Sequence, residues 1–195
     1  KDGEFYYYRN GKLIANETYW RDSEQSDFNT EVELYKSFGD KNQSNRVNLF
    51  LYFGHEIPEI GGEGYDASYP DRAFTVNHLA DGLEQFTHRF SKFDLMILST
   101  CYGGTPYTIG ALGMFARYII ASPENLHLSY FDTQSLERLD IGLRDRDVYS
   151  FSKRFSRQAF DKLISDVQTE ITVALYDTYL VQEFFNQVSP NHDHT

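Results

Sequence analysis

Two residues stand where chemistry is expected. Cys101, the only cysteine of the chain, follows the apolar run Phe93-Asp94-Leu95-Met96-Ile97-Leu98-Ser99-Thr100 and is itself followed by Tyr102-Gly103-Gly104. His55 follows a second apolar run, Val47-Asn48-Leu49-Phe50-Leu51-Tyr52-Phe53, across a single glycine, Gly54. An ordinary thiol is mostly protonated at neutral pH, and a neighbouring imidazole that accepts its proton makes it a nucleophile for acyl transfer. The chemistry the pair suggests is therefore attack of a thiolate on a carbonyl carbon, with the histidine moving the proton.

The elements around them are suited to holding such a pair. Both apolar runs are too short for helices and read as buried, parallel strands. Between them, from Thr75 to about Phe90, Val76, Leu79, Leu83, Phe86 and Phe90 recur at spacings of three and four, the mark of an amphipathic helix. Strand, helix and strand in that order form the crossover expected between neighbouring parallel strands, so His55 and Cys101 are expected to end adjacent strands on one edge. That edge is where loops converge and ligands collect in parallel sheets. After Cys101, Thr105-Pro106 opens a further helical pattern through Ile109, Leu112, Gly113 and Ala116. A cysteine alone is ordinarily a small buried hydrophobe, and a histidine beside a glycine ordinarily a structural hydrogen-bonder. Their matched placement, with Gly103 and Gly104 allowing close backbone approach, favours the dyad. His78, His88 and His127 lack it and are assigned structural roles, while His192 and His194 lack partners for metal binding.

The histidine after one strand, the cysteine after the next, the glycine two residues beyond it, and the intervening Gly64-Tyr65-Asp66 and Phe74-Thr75-Val76-Asn77-His78-Leu79-Ala80 resemble the clostripain family of cysteine peptidases, within the caspase–gingipain–legumain group. Ile119-Ile120-Ala121-Ser122-Pro123-Glu124 is similar to the family's next strand and its Ala-Ser-x-Glu ending, and Thr169 to Asp177 to the strand after its late helix. The resemblance runs roughly from Asn29 to Val188. It implies a caspase-haemoglobinase-like α/β fold, a three-layer α/β/α sandwich with a mainly parallel sheet. It also implies a secreted, bacterial cysteine endopeptidase acting on a peptide or protein substrate, with calcium as an allowed cofactor. Under it Cys101 and His55 are the catalytic pair, and the backbone N–H groups of Glu56 and Cys101 form the oxyanion hole. Ser99, Ser122, Glu124 and Asp132 are the substrate-binding candidates. Two departures stand out: Glu56 replaces the family's usual glycine after the histidine, and Ser99 replaces the acidic residue that Arg-specific members carry. A basic P1 preference would therefore have to draw its charge from Glu124 or Asp132. Under the resemblance the family's usual first strand and helix are missing from the 195 residues, either removed by processing or simply lacking, so the chain is expected to be a single peptidase domain, with association with an N-terminal fragment left open.

Composition narrows the field further. Tyrosine and phenylalanine number 15 and 16, too many aromatic residues for a disordered chain. The net charge of −11 argues against nucleic acid and anionic membrane as partners, since both need clustered Lys and Arg. No apolar run has membrane-spanning length, no signal peptide is visible, and one cysteine cannot form an internal disulfide. The localisation expected is extracytoplasmic.

Elsewhere Glu4 to Tyr8 and Leu13 to Ala15 read as a hairpin around Asn10-Gly11. Asn29-Thr30 caps a short helix through Phe38, and Ser150 to Gln168 is amphipathic. Glu56 to Arg72 is a glycine-rich acidic loop that matches no metal motif, and Asp132 to Leu139 suggests a short helix. Ile171 to Tyr176 reads as a strand and Thr178 to Val188 as a closing helix, while the sequons at Asn16 and Asn42 are read as chance. Two other function classes remain open: a non-catalytic peptide- or protein-binding member of the same fold, and a thiol-dependent esterase or amidase on small substrates.

Overall fold

The structure is a computed structural model that describes residues 3–20, 28–38, 47–65, 67, 70–87, 92–126, 131, 136, 147–166 and 170–188. Its elements run β1 (Gly3–Arg9), β2 (Lys12–Tyr19), α1 (Asn29–Phe38), β3 (Leu49–Phe53), α2 (Val76–Phe86), β4 (Phe93–Ser99), α3 (Pro106–Leu112), β5 (Ala116–Ala121), α4 (Val148–Asp166), β6 (Ala174–Asp177) and α5 (Thr178–Val188). They divide into two compact units, one of residues 1–44 and 58–90, the other of 45–57 and 91–195.

The first unit holds the hairpin, α1 and α2. Asn10 and Gly11 both take positive φ, 50° and 72°, the left-handed pair that a two-residue turn between twisted strands requires. The antiparallel β1–β2 pairing carries a register shift between Tyr7 and Tyr8. Phe5 and Tyr7 stack on Phe38 of α1 at 5.5 and 5.6 Å, and Tyr35 meets Phe86 of α2 edge-on. The entry to α2 is held by His78, whose Nδ1 accepts from the Thr75 N–H at 3.0 Å, so this imidazole caps a helix. The helix ends at Phe86, where Thr87 turns out to extended angles (φ −98°, ψ 138°), and Phe90 lies outside the described residues. The acidic loop is tied down at its described residues: the Gly64 N–H donates to the Pro70 carbonyl, the Phe74 N–H to Gly62, and the Val76 N–H to Pro58.

The second unit is built on a four-stranded sheet of order β3-β4-β5-β6. β3, β4 and β5 are parallel and β6 is antiparallel to β5. The sheet is thus mainly parallel, as the alternation of strand and helix patterns implies. Residues of β4 alternate between two closed faces. Leu95 and Ile97 face a core shared with Ile120 and with Val148, Phe151, Phe155, Ala159 and Leu163 of α4. Met96 and Leu98, with Ile119 of β5, project from the other face and are equally shut off from solvent. Burial on both faces explains why these strands read as continuous apolar runs. Asp94 anchors the opposite end of the sheet: it accepts from the Asn48 N–H at 2.8 Å and faces Arg117 at 3.5 Å.

Two sequence expectations shift, and others fall outside the described residues. Ala116 is the first residue of β5, not part of the helix before it, because the Gly113 and Phe115 N–H groups close the helix onto Ile109 and Leu112 and release the chain into the sheet. Of Ile171 to Tyr176 only Ala174 onward is strand, where pairing to β5 begins at Ala121. Asp132 to Leu139 and His127 lie, apart from Leu136, outside the described residues.

Gly82, inside α2, decides a sign. Glycine to alanine in a helix ordinarily stabilises by about 1 kcal/mol. Here the new methyl group would run into the Phe28 ring, which is itself held edge-on to Phe74 at 5.8 Å. Overpacking of this kind costs roughly 1–3 kcal/mol and outweighs the propensity gain. Gly82→Ala is expected to lower the midpoint of thermal unfolding, measured by circular dichroism.

Candidate active site

Each of the two chemistry-bearing residues sits two positions past a register pair. In the parallel ladder Phe53 of β3 pairs with Ser99 of β4, and the Gly54 N–H donates to the Ser99 carbonyl at 3.4 Å. His55 and Cys101 therefore leave matched positions on neighbouring strands, at the carboxyl edge of the sheet. His55 and Glu56 are exposed and Cys101 is half-buried against the α4-side core.

The turn after β4 is bound to the segment after β5. The Tyr102 N–H donates to the Glu124 carbonyl at 3.0 Å and the Gly104 N–H to the Ser122 carbonyl at 2.8 Å. These two bonds carry on the β4–β5 ladder beyond its regular end. Tyr102 takes φ 51°, an uncommon angle for a residue with a side chain. The glycines that follow are there for space. A Cβ on Gly104 would lie 2.7 Å from the Tyr176 hydroxyl, 2.8 Å from Pro123 N and 2.9 Å from the Ser122 carbonyl carbon. From β6 the Tyr176 hydroxyl donates to the Gly104 carbonyl at 2.9 Å. The turn then enters α3 through Thr105, whose Oγ1 accepts from the Thr108 N–H, with Pro106 at the first helical position.

Three of the four side chains singled out for substrate binding are engaged in holding this scaffold. Ser99 is fully buried, its Oγ accepting from the Phe131 N–H at 2.8 Å. Ser122 is also fully buried, donating to the Glu124 carbonyl and accepting from the Glu124 N–H. Glu124 is exposed, with Oε2 accepting from Thr172 Oγ1 at 2.7 Å. Asp132 lies outside the described residues.

One residue the sequence reading passed over touches the sulfur. Cys101 Sγ donates to Asn125 Oδ1 at 2.8 Å. Asn125 follows Glu124, so the segment that accepts from the Tyr102 N–H also presents a carboxamide to the thiol. Its one sequence signal is its place after the Ala-Ser-x-Glu ending of the strand beside β4. Among the described residues no group of three or more His, Cys, Asp or Glu side chains is arranged to hold a metal ion. No described helix is long and apolar enough to cross a membrane.

Tyr176 links this site to pH. Burial raises its phenol above the ordinary value of 10.0. The folded state thus keeps the proton longer than the unfolded chain, so the contribution of Tyr176 is full below pH 10 and is lost as pH climbs through the raised value. Tyr176→Phe is expected to lose about 1 kcal/mol with the hydrogen bond and to flatten the alkaline limb of stability, read by urea unfolding between pH 7 and pH 11. Gly104→Ala, whose new methyl group would meet the Ser122–Pro123 peptide bond and the Tyr176 hydroxyl, is expected to cost more, roughly 2 kcal/mol or above.

No protein-family model matches the chain, and no curated protein matches it at a significant level. Solved structures do. An inactive zymogen of a C11 protease from Parabacteroides distasonis superposes with a TM-score of 0.58 at 17% identity, over 94% of this chain and 49% of that one. A secreted C11 cysteine protease from Bacteroides thetaiotaomicron, iotapain, superposes with a TM-score of 0.64 at 14% identity, over 94% and 54%. The structure of a secreted C11 cysteine protease from the same organism with an irreversible peptide inhibitor gives 0.59 at 11%, over the same shares. The chain thus spans about half the length of the structures it matches. At these identities the likeness speaks for architecture: the chain has the caspase-like fold of the C11, or clostripain-family, cysteine proteases.

Proposed function

We propose that the chain is the thiol-bearing part of a secreted cysteine peptidase, with Cys101 as nucleophile and His55 as the base that takes its proton. The observation that carries this reading is the register of β3 and β4, whose last pair, Phe53–Ser99, lies two residues before His55 on one strand and two before Cys101 on the other. The fold shared with C11 proteases, one of them bound to an irreversible peptide inhibitor, supports a peptide as the substrate class.

In the proposed reaction the proton leaves Cys101 Sγ for the His55 ring and the thiolate adds to the scissile carbonyl carbon. The oxyanion is met by the backbone N–H groups of Cys101 and Glu56. His55 then protonates the departing amine as the carbon–nitrogen bond breaks, and water hydrolyses the thioester. Ser99 and Ser122, buried and bonded within the scaffold, hold the edge rather than contact substrate. Glu124 is an acidic group on the segment that is bonded to the nucleophile's turn. A basic P1 side chain would have to compete with Thr172 for its carboxylate.

The test is the rate of Cys101 alkylation by iodoacetamide against pH, with peptide-library hydrolysis run on the same preparations. An activated thiol is expected to alkylate at least tenfold faster at pH 7 than a free cysteine, and His55→Ala to abolish the excess together with hydrolysis. Ordinary alkylation unaffected by His55→Ala, with no peptide cleaved, would sink the peptidase reading and leave a peptide-binding module of the same fold. A preparation that cleaves small esters but no peptide would point to the esterase class instead.

A further inference from the structure

We infer that Asn125 latches Cys101 at rest: it holds Sγ as the neutral thiol, turned toward the segment after β5 and away from His55. The inference rests on the peptidase reading above in taking Cys101 as the nucleophile, and adds a restraint on it that the proposed dyad does not contain.

The sheet order sets the direction. β4 lies between β3 and β5, so the segment carrying His55 and the segment carrying Asn125 leave the sheet on opposite sides of Cys101. Among the described residues, the hydrogen-bond partner of Sγ is Asn125 Oδ1, at 2.8 Å. A carbonyl oxygen accepts and does not donate, so this bond exists only while the sulfur keeps its proton. It also selects one of the staggered rotamers of the cysteine side chain, the one directed to the β5 side. For the proton to pass to His55, Sγ has to leave Asn125 and turn to the β3 side.

The acceptor is mounted firmly. Asn125 stands between two fixed residues: the Glu124 carbonyl accepts from the Tyr102 N–H and its carboxylate from Thr172, while Leu126 is buried in the core with Leu95 and Ile97. Asn125 also makes a further interaction besides its bond to the sulfur, so the residue is held from more than one side. The contact itself is exposed. Water competes there, which makes the latch shallow, a bias on the resting thiol that transfer of the proton to His55 overcomes. Among the described residues, the titratable groups on the segments around the sulfur are His55 and Glu56 after β3, Tyr102 in the turn, Glu124 beside Asn125 and Tyr176 of β6. On the α4 side Cys101 meets the apolar core, which carries no charge.

Two replacements at Asn125 are expected to act in opposite directions, which a purely structural role would not produce. Asn125→Leu keeps the bulk and removes the acceptor, so the neutral thiol loses its bond. Its alkylation by iodoacetamide at pH 7 is expected to rise about two- to fivefold. Asn125→Asp keeps an acceptor and sets a negative charge beside the sulfur, and its rate at pH 7 is expected to fall about tenfold or more. At high pH all three proteins are expected to reach one plateau, because a thiolate has no proton to give the latch. The gain in Asn125→Leu is expected to persist in a His55→Ala background, since the bond does not involve the imidazole. A leucine variant that alkylates no faster than the parent, or an aspartate variant that moves in the same direction as the leucine one, would overturn the inference. So would a gain that remains on the high-pH plateau, which is what a loosened loop produces, or one that vanishes without His55. Should Asn125→Leu fail to fold by circular dichroism, Asn125→Ala takes its place with the same expectations. Peptide hydrolysis by the parent is scored separately. A parent that cleaves nothing while the two variants move apart as described removes the peptidase reading and keeps the latch. A parent that cleaves peptides while the variants leave the profile where it was keeps the reading and removes the latch.

Discussion

The structure depends first on the complete burial of β4. Leu95 through Ser99 have no measurable exposure, so every backbone group in that stretch must be satisfied by β3 on one side and β5 on the other. A strand closed on both faces and both edges has one register. Slipping it by one residue would exchange the face of Leu95 and Ile97 for that of Met96 and Leu98, and would leave ladder bonds unmade. Cys101 inherits that precision. It is two residues beyond the last ladder pair, too near to move independently of a strand that cannot move.

Precision at a strand end is of little use unless the turn that follows is also held. Three neighbours do this from different distances along the chain. The segment after β5 accepts two backbone bonds, β6 contributes the Tyr176 hydroxyl, and Thr172, just ahead of β6, fastens the Glu124 side chain. Each of these four hydrogen bonds contributes roughly 1 kcal/mol. Their value lies in convergence, since together they tie the turn of residues 101–104 to both strands beyond β4. The antiparallel direction of β6 has a role here. It brings Thr172, which precedes the strand, to the carboxyl edge of the parallel strands, while α5 starts at the opposite edge, where the Thr178 hydroxyl donates to the Ala116 carbonyl.

Much of this scaffold was legible in the chain. The apolar runs ending at Phe53 and Ser99, with a three–four spacing between them, spell parallel neighbours, and the register agrees. The spacing of Phe151, Phe155, Ala159 and Leu163 spells the helix that covers one face. Ser99 is harder to place. Residues two apart in a strand share a face, so Ser99 belongs with Leu95 and Ile97 toward the core, and it is buried there with its hydroxyl on the Phe131 N–H. The family resemblance points this position toward substrate, whereas strand periodicity points it inside. Asn125 was not legible at all. Its contact with Cys101 spans 24 residues and exists only because β4 and β5 are paired, and a single sequence carries no period that marks which polar residue will meet which.

Tyr102 brings the local and the tertiary constraints together. A side-chain residue at φ 51° costs about 1 kcal/mol against the extended or helical regions, and two glycines stand immediately after it. Had the turn needed only a left-handed residue, glycine at the first position would have supplied it without strain. The glycines are instead spent where atoms crowd, Gly103 against Thr100 and Leu98 and Gly104 against the segment after β5. The left-handed angle falls to tyrosine because its N–H must reach the Glu124 carbonyl while the chain turns toward α3. The bond recovers energy comparable to the strain, so the local conformation is one that the neighbouring loop holds in place. The geometry beside the thiol is therefore a property of two loops together: neither the turn after β4 nor the segment after β5 specifies it alone.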